Sequence, residues 1–375
     1  MPCGHPVKSV ASMTKKVAVI PGDGIGEEVM RQAVKVCQTI HDLHLADVEV
    51  VKFQYGADQY LKTGITLPDE VIQEFRKKYD ALLTGPFGDP RISDRKYLDE
   101  MLPRLHSSLG LSVYYYPVRL LHPDLYPLLT GLQDDIRFTI FSYNVEGGDI
   151  DSGGVAKTGT PDELALQQFF VTRSTVEALG RTAFEYARAR NLKRVVIADR
   201  GSGFRYARRL WRNVFEQIAA EFQDVTTTYM GVENLTYSIF RNPGKYDIVV
   251  LQNISRDVFS HLGAVIQGGL GLAAVGDLNP GSFGLFRPLH GVVPRFAGKN
   301  VANPFGAILC VQLLLEFLGR PKAGKLIEDA VAYCLEHRLT TRDLNGSLGT
   351  EEVGDYVCQI IEKLYDGSRQ SAAEA

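Results

Sequence analysis

Residues 285–304 read LFRPLHGVVPRFAGKNVANP. The run has no hydrophobic periodicity, and it carries His290-Gly291, Gly298 and the prolines Pro288, Pro294 and Pro304. It cannot be one regular helix or strand, because proline removes a backbone donor and fixes φ while glycine loosens the chain. It is expected to be a long ordered loop. In compact domains such loops are either functional or structural Ω-loops, and the run alone leaves both open.

The flanking sequence alternates short β-rich runs with amphipathic stretches, the pattern of an α/β fold. Lys16–Ile20 is read as a strand that leads through PGDGIG into a helix with the pattern EEVMRQAVKVCQTI. Val48–Gln54 and Ala81–Leu83 are read as strands, and Leu67–Lys78 and Tyr97–Leu109 as helices, the latter with a possible kink at Pro103. Further strands are expected at Arg137–Tyr143, Phe169–Arg173, Arg194–Ala198, Val225–Tyr229 and Asp247–Leu251. Helices are expected at Ser174–Arg190, at Trp211–Phe222, after Glu233 and after Ser255. The polar, glycine-rich span 146–163 is read as an arm or hairpin.

The chain has 375 residues, 45% apolar and 23% charged, with a formal net charge of −3. That is the composition of a globular protein, and it favours neither nucleic acid nor an acidic membrane surface. No apolar run approaches the length of a membrane span. The first 15 residues lack the apolar core of a secretory signal, and no arginine precedes Arg31. Five widely spaced cysteines without a CxxC suit free thiols in a reducing compartment, so a cytoplasmic location is expected.

Three motifs bear chemistry. GDGIG (22–26) follows a strand and opens a helix, but it is only half a dinucleotide fingerprint, and a tight strand-to-helix turn explains it as well. Asp257 and His261 are four apart on a helix and share a face; with Glu233 they make a possible divalent-metal set. A lone Asp/His pair is more often surface or capping chemistry. In TTRDLNGSLGTEEVGDYV (340–357), Thr350 is a helix N-cap candidate with two glutamates in the first turn.

Taken together, VAVIPGDGIGEEV, LPDEVIQEF, LLTGPFGDP, TRSTVEALGRTAFEYAR, NPGKYDIVVLQN, GGLGLAAVGDLN, LFRPLHGVVPRFAGKNVANP and TTRDLNGSLGTEEVGD resemble one family in order and spacing from about residue 16 to 360. It is that of the isocitrate/isopropylmalate dehydrogenases, metal-dependent β-decarboxylating dehydrogenases of 2-hydroxy acids. The resemblance implies two α/β domains that share a large mixed sheet and are not a Rossmann fold. Residues 1–111 and 268–375 would form the dinucleotide-binding domain, and 112–267 the substrate, metal and dimerisation domain. It also implies a homodimer, a small-molecule substrate, and a nicotinamide dinucleotide whose adenosine half rests on the 285–304 loop near His290, Gly291 and Asn303.

At the substrate positions the chain departs from this pattern. The family's substrate-gripping arginines would fall on His106, Tyr116 and Ser142, and Arg104 is out of register. Arginine suits that task because its rigid fork pairs with a carboxylate. A catalytic tyrosine is missing, with Asp149 or Asp151 as the nearest candidates, and the catalytic lysine aligns best with Arg200, followed by Ser202. Arginine stays charged and so is no general base, but it can stabilise an alkoxide or a phosphate. Of three metal-binding aspartates Asp257 remains, and the others become Glu233 and His261. Both replacements can hold Mg or Mn, the nitrogen ligand tilting preference away from magnesium.

Arg295 stands where NAD-specific members have an aspartate, which favours NADP over NAD. Arg287 replaces a glutamate nearby. The expected activity is an NAD(P)-dependent oxidoreductase on a non-standard substrate, with Arg200, Asp257, Tyr116 and His106 as catalytic candidates. The alternatives are a non-catalytic, nucleotide-binding homologue and a repurposed metal-dependent enzyme without net redox chemistry.

Overall fold

The computed structural model describes residues 14–127, 135–148, 150, 152–200 and 203–373. Asp149, Asp151 and Ser202 lie outside the described residues. The strands are β1 (Lys15–Ile20), β2 (Val48–Lys52), β3 (Ala81–Thr84), β4 (Val113–Arg119), β5 (Arg137–Tyr143), β6 (Gly153–Ala156), β7 (Leu164–Gln167), β8 (Arg194–Asp199), β9 (Thr226–Gly231), β10 (Ile248–Val250), β11 (Ala274–Asn279) and β12 (Phe283–Pro288). The helices are α1 (Gly26–Asp42), α2 (Ala57–Thr63), α3 (Asp69–Lys78), α4 (Lys96–Leu109), α5 (Arg173–Ala189), α6 (Arg205–Glu221), α7 (Val232–Arg241), α8 (Asn253–Ile266), α9 (Phe305–Phe317), α10 (Pro321–Glu336) and α11 (Thr350–Ala373).

Ten strands form one sheet in the order β2-β1-β3-β12-β11-β4-β5-β10-β8-β9. The outer pairs are parallel, whereas β12/β11, β11/β4 and β4/β5 are antiparallel. A doubly wound Rossmann sheet is parallel, so this mixed order is a different fold.

Side-chain alternation along the strands gives each face its own core. Val17, Val19, Tyr115, Phe141 and Val195 pack on one face with α1, α5, α6, α9, α10 and α11. On the other face the apolar packing falls into two patches. Ala18, Leu82 and Leu285 pack with α3 and α4, and Tyr114, Tyr116 and Val275 pack with α7 and α8. Asp277 pairs with Leu285 on one side and Tyr114 on the other, so it lies at the seam between the patches.

Four expectations change. The start of the 285–304 run is not loop: β12 holds it in register with β11 through Pro288. Phe169–Arg173 is not a strand. Phe170 makes a single bridge to Gly147, and Thr172 caps α5, its hydroxyl accepting from the Thr175 amide at 3.3 Å. The α6 helix begins at Arg205 rather than near Trp211, because its exposed arginines carry no apolar signal. Thr350 is itself helical, and its hydroxyl donates to the Ala302 carbonyl at 2.6 Å. That bond ties α11 to the end of the 285–304 run. The α4 helix runs on through Pro103.

Candidate functional site

Three amides of the turn GDGIG are occupied. Asp23 N donates to Pro86 O at 2.7 Å, Ile25 N to Val292 O at 2.9 Å and Gly26 N to Asp23 O at 2.8 Å. A Cβ on Gly24 would stand 2.0 Å from Val292 O, so this glycine exists for close approach. The Asp23 carboxylate accepts from Ala57 N and Gly88 N, each at 2.7 Å, and from Tyr97 Oη at 2.6 Å. The motif is a packing node between loops. Burial raises the Asp23 pKa, and these three bonds oppose the rise.

Beside this node lies a cleft of about 740 Å³, lined among others by Gln54, Asp58, Asp89, Arg91 and Pro294. It reaches the 285–304 run, and its far wall, residues 54–63, carries no motif that sequence reading would single out.

The loop after β12 keeps the features of a ligand site. His290 is buried, and its Nδ1 lies 3.0 Å from Gly291 O, while Nε2 has no partner. A buried polar atom without a partner is costly and marks a place where a ligand can bond. Burial lowers the His290 pKa, opposed by the Gly291 carbonyl and by Asp343, so the ring is neutral near pH 7. Asn303 Nδ2 donates to Asp343 Oδ2 at 2.9 Å, and its Oδ1 accepts from Phe305 N at 3.0 Å. Asp343 was not singled out from sequence; its signal was the polar run Thr341-Arg342-Asp343. Gly291 has open space where a Cβ would stand. Arg295 is exposed and stacks on Phe296, its Cζ 4.6 Å from the ring centroid.

The substrate-side candidates scatter. Tyr116 is fully buried among Val118, Ile140 and Gly263, and its hydroxyl has no partner. It is a core residue here, because β4 turns residues 114 and 116 onto the face covered by α8. Ser142 is also buried, with its hydroxyl unpaired. Arg200 sits exposed just beyond β8.

His106 is placed differently. Its Nε2 lies 3.1 Å from Asp277 Oδ2, and its side chain is 12% exposed. Arg287 Nε donates to the same oxygen at 2.9 Å, and Asn144 Nδ2 to Oδ1 at 2.9 Å. Burial alone would raise the Asp277 pKa, but Arg287 and His106 hold it well below the usual carboxylate range. Arg256 Nη1 bonds Asn144 Oδ1 at 3.1 Å and its Nε bonds Asp257 Oδ1 at 2.8 Å. Asp277, Asn144 and Arg256 were missed from sequence. A lone aspartate in the apolar strand AVGDLN was the available signal.

The metal set does not assemble within one chain. His261 Nδ1 lies 2.8 Å from the Asp257 carbonyl, a bond back along the helix, and Asp257 faces solvent with 73% of its side chain exposed. Glu233 stands in the first turn of α7. Among the described residues no group of three His, Cys, Asp or Glu side chains could hold a metal ion. Also among them, no helix is long and apolar enough to cross a membrane.

A mixed sheet between helix layers, with a long loop following its central antiparallel strands, is the architecture of an α/β protein. A family model described as isocitrate/isopropylmalate dehydrogenase matches residues 16–357, and the chain belongs to this family. The 3-isopropylmalate dehydrogenase of Thermobifida fusca is 36% identical over 354 residues, 94% of this chain and 99% of that protein. That of Mycobacterium leprae is 34% identical over 351 residues, 92% of this chain and 100% of that protein. Among solved structures, an isocitrate dehydrogenase from Methylococcus capsulatus has a TM-score of 0.83 at 26% identity, covering 93% of this chain and 99% of its own. A β-decarboxylating dehydrogenase from Thermococcus kodakarensis has a TM-score of 0.75 at 28% identity, covering 94% and 98%.

Proposed function

We propose that this protein is a nicotinamide-dinucleotide-dependent oxidoreductase of the β-decarboxylating type whose substrate is a 2-hydroxy acid less anionic than a malate-type dicarboxylate. The observation that carries this reading is the unpartnered Nε2 of buried His290 beside the Asn303–Asp343 pair. A neutral imidazole, an amide and the open approach at Gly291 suit an adenosine moiety. Arg295, exposed on the same loop, suits a 2′-phosphate, so NADP is favoured over NAD. The bound dinucleotide would accept hydride from the substrate carbon.

On the substrate side, His106 is engaged with Asp277 and Tyr116 is buried, so neither offers an arginine-like clamp. Each charged hydrogen bond lost with a clamp is worth about 1.5–3 kcal/mol. Such a loss argues against 3-isopropylmalate, the substrate in the relatives' names, at ordinary affinity. Arg200 remains available to neutralise a developing alkoxide, and Asp257 and His261 to bind Mg or Mn once a third ligand, Glu233 of a second copy, is added.

A homodimer is part of this reading. Val155, Leu164 and Leu166 of the β6–β7 hairpin are 58–60% exposed, and Ile254, Val258 and Val265 form an exposed apolar stripe on α8. Isolated apolar residues are ordinary on a surface; two clusters of them mark an interface. The double substitution Leu164→Asp/Leu166→Asp is expected to give monomers in sedimentation velocity, and an unchanged dimer would refute the hairpin's role.

A second reading, a nucleotide-binding homologue without turnover, draws on the buried Tyr116 and on the placement of His261 against its own helix with Asp257 facing solvent. Thermal stability in NADP⁺, NAD⁺ and Mn²⁺ followed by a 2-hydroxy-acid turnover panel separates the two. A ligand that binds only the native state raises the melting temperature. Dinucleotide stabilisation with turnover supports the first reading; stabilisation with no turnover supports the second. No response to any dinucleotide removes both.

A further inference from the structure

Residues 200–215 hold five arginines and no aspartate or glutamate. Four of them, Arg205, Arg208, Arg209 and Arg212, lie in the N-terminal half of α6 and line, with Gly203, one open cavity of about 320 Å³. None of these residues lines the cleft beside Asp23. Two of the four have a structural duty. Arg208 Nε donates to Asp199 Oδ1 at 3.0 Å, and Arg212 Nε to Oδ2 at 2.9 Å. Asp199 is buried at the end of β8, so these bonds fasten α6 to the sheet. Arg212 also lies over the Tyr229 ring, its Cζ 5.4 Å from the centroid. Both bonds to Asp199 use Nε alone. The terminal nitrogens make no other hydrogen bond among the described residues, and the two side chains remain 36% and 35% exposed.

Arg205 and Arg209 have no such duty. Both are exposed, and neither pairs with a carboxylate among the described residues. They do not serve the helix either, since a cation in the first turn opposes the helix dipole and α6 has no acidic residue there. Four guanidinium groups thus surround one space above a single carboxylate. A concavity lined by one sign of charge focuses its field on an incoming counter-ion. The planar fork of arginine matches phosphate oxygens two at a time. The cavity is at the lower end of small-molecule sites in size, which suits a phosphoryl group on a small molecule rather than a nucleic-acid duplex. We infer that the arginine-lined cavity on α6 binds a small phosphate-bearing ligand. Arg205 and Arg209 are its free charges, and Asp199 holds Arg208 and Arg212 in place beside them. The inference does not rest on the dehydrogenase reading, because no residue of the loop after β12 takes part.

Pyrophosphate is the probe. Thermal melting of the full-length protein is followed in sodium pyrophosphate against sodium chloride at equal ionic strength, and calorimetric titration gives the affinity. Arg205→Gln/Arg209→Gln removes the two free charges and leaves both bonds to Asp199, so the fold is retained. The expected result is a saturable rise in melting temperature with pyrophosphate. In the double variant the affinity is expected to fall by about tenfold or more, the worth of one charged hydrogen bond. Arg295→Gln, on the loop after β12, is expected to leave the response unchanged. Equal melting in the two salts overturns the site. So does full affinity in the double variant, or a response that Arg295→Gln alone abolishes, since pyrophosphate would then rest on the other loop. Glycerol phosphate and inorganic phosphate are then compared. Tighter binding of the ester assigns the site to a phosphorylated metabolite, and tighter binding of inorganic phosphate to the free anion. Binding of neither, or tighter binding of a DNA duplex than of pyrophosphate, overturns the assignment. None of these measurements involves a dinucleotide or turnover, so the dehydrogenase reading stands or fails separately.

Discussion

The loop after β12 and the seam around Asp277 lie a few residues apart in sequence, yet they handle buried polarity in opposite ways. His290 is left with a ring nitrogen that bonds nothing, whereas Asp277 accepts from Arg287 Nε and Asn144 Nδ2 and lies 3.1 Å from His106 Nε2. A buried polar group left unmet is costly, and one met from within is not. The contrast fits the proposed reading, in which the cofactor half binds its ligand and the substrate half is altered.

The largest expected effect breaks the seam. Asp277→Ala leaves the Arg287 guanidinium buried without its counter-charge, and such losses cost about 3–5 kcal/mol. Asp257→Asn, on an exposed carboxylate, is expected to stay within about 0.5 kcal/mol. Urea unfolding of the two variants checks the difference, and equal costs would erase the distinction between the two aspartates.

Acid sharpens the same contrast. The Asp277 pKa is depressed in the folded state, so its contribution is present above the ordinary carboxylate value of about 3.9 and is lost as pH falls further, through the folded value. Urea midpoints of the unaltered chain are expected to fall steeply below about pH 4. Part of that slope is expected to vanish in Asp277→Ala. His290 works in a different window. Burial lowers its folded pKa, so stability falls as pH drops through the unfolded value of about 6.5. His290→Gln is expected to flatten the midpoints between about pH 7 and 5.5, and an unflattened profile would place the ring in solvent.

Much of the fold was legible in the residues, and the site was legible only in part. The strand at Lys15–Ile20, α1 and α5 follow directly from hydrophobic period and turn chemistry. The start of α6 was hidden because Arg205, Tyr206 and Arg209 are exposed and carry no apolar period. The strand β12 was hidden by its own Gly284 and Pro288, residues that ordinarily end strands. His106 could be aligned with a clamp position, but its partner could not be read, since Asp277 lies 171 residues away and meets it only when β11 enters the sheet beside β4. The burial of Tyr116 was equally invisible. Three consecutive tyrosines look like a pocket lining, yet alternation on a central strand puts two of them against α8.

Smaller effects belong to the loop after β12. His290→Ala is expected to weaken dinucleotide binding about tenfold, the worth of one hydrogen bond. Calorimetric titration checks it, and unchanged affinity would detach the orphaned nitrogen from the ligand. Arg295→Ala is expected to change the NADP⁺ to NAD⁺ affinity ratio by only about threefold, because an exposed guanidinium acts through solvent.

In the proposed reading one half is ready to bind and the other is not. Calorimetric titration of the unaltered chain with NADP⁺ and then, on the loaded protein, with 3-isopropylmalate in the presence of Mn²⁺ addresses it most directly. The expected result is saturable dinucleotide binding and no heat from the dicarboxylate. Tight binding and oxidation of 3-isopropylmalate, or failure to bind either dinucleotide, would contradict it.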